Sequence, residues 1–190
     1  VHAISKYSLR KINMIHTVFV PGYGNSLGDH WQMQWFKKIP HSHWVEQSDW
    51  DAPEKNAWVS GLQNTLANIQ EPIILVAHSL GCLTIAEWAQ QHHANILGAY
   101  LVAVPDPNSL SFPAAISGFQ QLPLNSLPFP SKIIASTNDP YCSKERCEYF
   151  AQAWGSELSF IGDQGHINAS AGFGAWEEGF NEFQKWMKAL

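Results

Sequence analysis

Six short apolar runs, at 15–20, 43–46, 73–77, 99–104, 132–136 and 158–161, punctuate this chain, and stretches of helical length lie between most of them. Each run is too short for a buried helix and favours β-branched or large apolar residues, so each reads as a strand. Strands alternating with helices make βαβ units and a parallel sheet, which must be covered on both faces. Helices are expected at about 26–38, 53–69, 80–93, 143–154 and 174–189. Asp51 is the candidate N-cap of the second, with Pro53 in its first turn. In the last, Phe180, Phe183, Trp186 and Met187 recur at helical spacing and form a core-facing stripe. With 45% hydrophobic and only 14% charged residues, a chain of 190 residues has the apolar content for such a core. The expected fold class is α/β: a three-layer α/β/α sandwich around a mostly parallel six-stranded sheet, in a single domain over 14–190.

Composition excludes several functions. The net charge is -5 and the 11 Lys and Arg are scattered, so no basic stripe offers itself to nucleic acid. The longest apolar runs, 71–77 and 97–105, fall far short of the roughly 20 residues of a membrane span. Residues 1–13 carry three basic groups without an apolar signal core, and read as an extension upstream of Met14. Cys82, Cys142 and Cys147 cannot all pair within one chain, which fits free thiols and a cytoplasmic location. Residues 105–130 stand apart. Six prolines there forbid a long helix while Phe112, Ile116, Phe119 and Phe129 supply apolar surface, the pattern of a cap or pocket wall.

The stretch "AHSLG", residues 77–81, ends the third strand run on a serine directly before a helix. A serine on a tight strand-to-helix turn has its hydroxyl pushed out above the sheet, and close packing there admits only small residues two positions either side. Ala77 and Gly81 are those residues, Ala77 standing where a glycine is usual. A nucleophilic serine requires a base and a carboxylate to orient the base, in the chain order Ser, Asp or Glu, His for this architecture. Asp139 follows the fifth strand run and His166 the sixth, so Ser79, Asp139 and His166 all fall at the same edge of a parallel sheet. Asp106 and Asp163 are the alternative acids. The oxyanion hole is expected from the Leu80 N–H and from the Tyr23 N–H in the loop after the first strand, where Gly22 and Gly24 flank Tyr23.

Five segments carry a resemblance: "VPGYGNSLGDHWQ", "SDWDAPEKNAWVSGL", "VAHSLGC", "ASTNDPYC" and "GHINASAGFGAW". Together they resemble the small serine hydrolases of the α/β-hydrolase superfamily that include retinoblastoma-binding protein 9 and its bacterial relatives. The resemblance runs from about Met14 to the C-terminus. It implies Ser79 as nucleophile, Asp139 as acid and His166 as base. It also implies a minimal six-stranded α/β-hydrolase fold without a large lid, its first two strands exchanged in spatial order.

Other residues near these motifs divide between site and scaffold. Gly22, Trp31, His78 and Tyr141 are candidates for the substrate pocket, although His78 and Trp31 also read as packing residues. His41 and His43 have the spacing of two metal ligands but no third ligand nearby in sequence; His92 and His93 read as surface residues, and no metal is expected. "GYGNSLG" superficially resembles a dinucleotide fingerprint, but its third glycine is displaced by one, and no cofactor is expected. The function expected is a carboxylesterase-like serine hydrolase acting through an acyl-enzyme on a small-molecule ester, thioester or amide. The alternatives are a hydrolase-fold protein whose main role is protein binding, and an acyltransferase using the same triad.

Overall fold

The structure is a computed structural model that describes residues 14–190; the expectation of an extension at 1–13 lies outside the described residues. The chain runs β1 (His16–Val20), α1 (Trp31–Lys38), β2 (Ser42–Trp44), α2 (Lys55–Leu66), β3 (Ile73–His78), α3 (Leu80–Trp88), β4 (Ile96–Val102), β5 (Ser131–Ala135), α4 (Lys144–Trp154), β6 (Glu157–Phe160) and α5 (Glu177–Ala189). The six strands form one sheet in the order β2-β1-β3-β4-β5-β6, every neighbouring pair parallel. The first two strands are exchanged in space, as expected.

Alternation along the strands sorts the core into two layers. Val18, Val20, Leu75, Ala77, Ala99, Leu101, Ile133 and Ala135 face one side, where Trp58 and Leu62 of α2, Leu83 and Trp88 of α3, and Phe150 and Trp154 of α4 cover them. Phe19, Ile74, Val76, Tyr100, Val102 and Ile134 face the other, under Trp31 and Trp35 of α1 and Phe183 and Trp186 of α5. All six residues of β3 are buried, because this central strand has a helix layer on both faces. Parallel strands also put every β-to-α loop at one edge, and β3 ends there on the Ser79 turn.

Several boundaries differ from expectation. The first helix starts at Trp31 rather than near 26, since Asn25 and Gly28 take positive φ values of 66° and 64° that break a helix. The second starts at Lys55, capped by Glu54, whose carboxylate accepts from the Ala57 N–H at 2.9 Å. Asp51 is not the cap: its own N–H is held by Asp49, which also takes the Ala52 N–H in a turn before the helix. α3 ends at Trp88, short of 93, and β4 stops at Val102, where Ala103 turns to φ 54°. The 105–130 segment has neither helix nor strand; an isolated bridge joins its Ser117 to Glu54, and its Pro130 carbonyl accepts the Ala99 N–H of β4 at 3.0 Å. Most of its apolar side chains, including Ile116, Phe119, Leu127 and Phe129, belong to the core under α2 to α4. Among the described residues no helix is long and apolar enough to cross a membrane.

Candidate active site

Ser79 joins β3 to α3 with φ 53° and ψ -124°, a backbone conformation that L-residues avoid and that costs on the order of 1–3 kcal/mol. Packing imposes it. The Ser79 N–H donates to the Val102 carbonyl of β4 at 2.9 Å, while the α3 backbone lies directly against the end of β1. A Cβ on Gly81 would meet the Val20 carbonyl oxygen at 2.1 Å, and one on Gly22 would meet Ser79 Cβ at 2.9 Å. Ala77, by contrast, points into the core, where its methyl is fully buried.

The loops after β5 and β6 are tied to each other. The Ser136 hydroxyl oxygen accepts the Gln164 N–H at 2.8 Å, and the Asn138 side-chain oxygen accepts the Gly165 N–H at 2.7 Å. These bonds fix the flanks of His166. Its Nδ1 lies 2.8 Å and 3.1 Å from the two carboxylate oxygens of Asp139, and its Nε2 lies 2.8 Å from Ser79 Oγ. Because a carboxylate only accepts, Nδ1 carries the proton and Nε2 faces the serine hydroxyl as acceptor. The ring is braced by Tyr141 and His78, at centroid distances of 4.6 Å and 5.0 Å. Asp139 accepts the Tyr141 N–H as well, at 2.9 Å. Such a hydrogen-bonded series can draw the hydroxyl proton away while a fixed carboxylate holds the ring in the required tautomer.

The two alternative acids are engaged elsewhere. Asp106 pairs with Arg146, Oδ2 to Nε 2.8 Å, and Asp163 accepts from the Thr137 hydroxyl. His78 donates from Nε2 to the His166 carbonyl at 2.9 Å, bracing the histidine loop from beneath. Its pKa is held well below the ordinary value by burial, with His30 and His166 adding to the effect.

A pocket of about 340 Å³ opens over Ser79. Tyr23, Asn25, Ser26, Leu27 and His30 line it from the loop after β1, Phe112 and Pro113 from the 105–130 segment, and Asn168 to Ser170 from the histidine loop. His78 and Tyr141 also line it. Trp31 does not: it is fully buried, with its indole N–H donating to the Ile167 carbonyl at 2.9 Å, so it supports the histidine loop from behind. Gly22 is likewise no wall; it provides the clearance beneath Ser79. Sequence reasoning passed over His30, Asn25, Ser26 and Asn168. The available signal for His30 was its place just before an amphipathic helix, but histidine is not among the usual capping residues.

Elsewhere, His16 stands beside the His41 and His43 pair, its ring stacked on theirs at 5.4 Å and 5.0 Å, and its Nδ1 is 2.7 Å from His43 Nε2. A third imidazole is therefore near in space though distant in sequence, but stacked rings do not aim their lone pairs at one point. Among the described residues no group of three metal-binding side chains has the geometry to hold an ion.

Residues 17–185 match the family model described as serine hydrolase. Among solved structures, a protein described as a YdeN-like hydrolase from Pectobacterium atrosepticum is 34% identical, with 96% of this chain and 95% of that one covered and a TM-score of 0.82. The ydeN gene product of B. subtilis is 21% identical over 92% of this chain and all (100%) of its own, with a TM-score of 0.78, a likeness of fold. A thermophilic esterase from Thermogutta terrifontis shares the fold at 16% identity, 93% and 90% coverage and a TM-score of 0.67. The comparison with curated proteins finds no significant match. The family match spans strands, elbow and histidine loop alike, and the chain belongs to the serine hydrolase family, with an α/β-hydrolase fold.

Proposed function

We propose that this protein is a carboxylesterase-like serine hydrolase that cleaves small, uncharged esters, thioesters or amides through an acyl-enzyme. The observation that carries this reading is the unbroken hydrogen-bonded series Asp139, His166, Ser79, ending on a strained elbow at the floor of an open pocket. His166 takes the Ser79 proton as Oγ attacks the acyl carbonyl, then returns it to the departing alcohol, thiol or amine. Water, activated by the same imidazole, releases the acid.

Two backbone donors are proposed for the oxyanion. Leu80 opens α3, and the first N–H groups of a helix have no partner within it. In the loop after β1 the Gly24 and Asn25 N–H groups are taken by Trp50 and Gly22, whereas no hydrogen bond engages the Tyr23 N–H among the described residues. Preference for uncharged substrates follows from the lining, to which no Asp, Glu, Lys or Arg among the described residues contributes, and from the burial that keeps His30 and His78 neutral. The closer kinship with the retinoblastoma-binding protein 9 group, drawn from the five motif segments, belongs to the same proposal.

The test is hydrolysis of p-nitrophenyl esters from acetate to octanoate beside the anionic hemisuccinate. Short neutral esters should turn over, the hemisuccinate should be the poorest of comparable length, and Ser79→Ala should lose about 10⁴-fold or more in kcat. Equal turnover by the Ser79→Ala variant would remove Ser79 from the mechanism.

A further inference from the structure

The side chains that line the pocket over Ser79 differ in what the fold has already done with them. Ser26, His30 and His78 are buried, whereas Tyr23 and Leu27, in the loop after β1, remain 42% and 59% exposed. Neither of these two belongs to a core layer among the described residues. A lone exposed leucine on a surface needs no explanation, and the fully exposed Leu110 is of that kind. Leu27 differs because it borders the cavity that holds the nucleophile. Its loop is also held in place. The Asn25 side-chain oxygen accepts the Ser26 N–H at 2.8 Å and the Trp44 indole N–H at 3.3 Å, and the Leu27 carbonyl accepts the His30 N–H at 3.4 Å.

Phe112 supplies a second apolar wall, from the 105–130 segment. It is partly buried against the core layer under α2 to α4 and lines the pocket as well. Successive turns tie it to the strand-end loop that carries Asp139. The Phe112 N–H donates to the Ser109 carbonyl at 3.0 Å, the Ser109 N–H to that of Asp106 at 3.0 Å, and the Asp106 N–H to that of Tyr141 at 2.9 Å. An acetyl group is only a few atoms, each of roughly the 30 Å³ share of a water molecule, and leaves most of the pocket's volume of about 340 Å³ unfilled. Apolar surface left in water gains only when something apolar covers it. An alkyl chain of the substrate covers Leu27 and Phe112 without bringing a charge or an unpaired donor into a lining that offers neither cation nor anion.

We propose that Leu27 and Phe112 set substrate preference by packing against an unbranched alkyl chain of the ester, which makes esters with a butyl- to hexyl-length chain better substrates than acetyl or methyl ones. This inference rests on the hydrolase reading and narrows its substrate class.

The test measures kcat/KM, each value divided by the ester's hydroxide-catalysed rate constant, at concentrations where the esters do not aggregate. One series is p-nitrophenyl acetate, butyrate and hexanoate; the other is methyl, butyl and hexyl acetate. In one of them the wild-type value should rise about 2- to 4-fold for each added methylene. A rise along the p-nitrophenyl esters puts the two walls on the acyl side, and a rise along the acetates puts them on the alcohol side. In either case Leu27→Ser, a change at an exposed position that the fold does not depend on, should flatten the rise, and Phe112→Ala should do the same. Leu110→Ser makes the same replacement at an exposed leucine outside the lining and should leave the rise as steep as in the wild type. Two flat series overturn the proposal. So does a rise that Leu27→Ser leaves unchanged, or one that Leu110→Ser flattens equally. Failure of the wild type to turn over any ester would instead overturn the hydrolase reading, and the chain preference with it.

Discussion

Gly81 lies so close beneath the end of β1 that a Cβ added to it would fall 2.1 Å from the Val20 carbonyl oxygen and 2.8 Å from that of Pro21. The elbow is therefore a contact between two backbones, and it cannot yield by moving a flexible side chain. Gly81→Ala should destabilise the fold by at least the roughly 1–3 kcal/mol of ordinary overpacking, and should reduce turnover by shifting Ser79. Gly24→Ala is the control. Its φ of 75° makes it strained too, but no heavy atom lies within 4 Å of the added carbon. Urea denaturation should rank Gly81→Ala clearly below Gly24→Ala; equal midpoints would contradict the close contact.

Asp139 and Asp106 separate cleanly by their partners. Asp139 faces His166 Nδ1, whereas Asp106 faces Arg146. Asp139→Asn should lower kcat by about 10⁴-fold through loss of the correct tautomer, with the fold intact. Asp106→Asn should leave kcat largely unchanged and lower the unfolding midpoint. The reverse assignment of the two losses would mean that the acid has been misplaced.

Much of this arrangement was legible because a parallel sheet is a strong constraint. Once 73–77 is a buried strand and 80 onward a helix, Ser79 must stand on the turn between them, and the runs at 132–136 and 158–161 then deliver Asp139 and His166 to the same edge. What was not legible depends on choices made by side chains in three dimensions. Asp49, Asp51 and Glu54 are all able to cap, and the turn bonds Asp49 makes decide for Glu54. Trp31 is adjacent in sequence to the pocket residue His30, yet the helical start turns one toward the core and leaves the other at the cavity. His16 meets His43 only because β1 and β2 are neighbours, 27 residues apart in sequence at that point.

Lys55 and Glu87 join α2 to α3, with Nζ 3.5 Å from Oε2 and the glutamate side chain only 6% exposed. Burial raises the Glu87 pKa, and Lys55 opposes that rise. An acid whose folded pKa is raised destabilises the native state above that pKa and ceases to do so as it takes up a proton in acid. Removing the cation strengthens the penalty. Lys55→Met should cost about 1–3 kcal/mol at pH 8 and less at pH 5. Urea curves at the two pH values check this, and an equal cost at both would contradict it.

His30 and His78 act in the opposite sense. Both have pKa values lowered by burial, that of His30 from 6.5 to about 4. Between those limits the unfolded chain binds a proton at position 30 that the native protein refuses, so stability falls as the pH falls, by up to about 1.4 kcal/mol per pH unit for one such group. Because Glu87 contributes with the other sign, the informative quantity is the difference between variants. His30→Asn should lose less stability than the wild type between pH 7 and pH 5. A steeper loss in the variant would contradict a neutral, buried His30.

The most direct measurement is labelling of the native protein with a fluorophosphonate, which phosphonylates an activated serine with loss of fluoride, followed by mass spectrometry of the adduct. The hydrogen-bonded series ending at Ser79 predicts one adduct, on Ser79, absent from Ser79→Ala and much slower in His166→Ala. An adduct on another residue, or none on folded protein, would contradict the claim that Ser79 is an activated nucleophile.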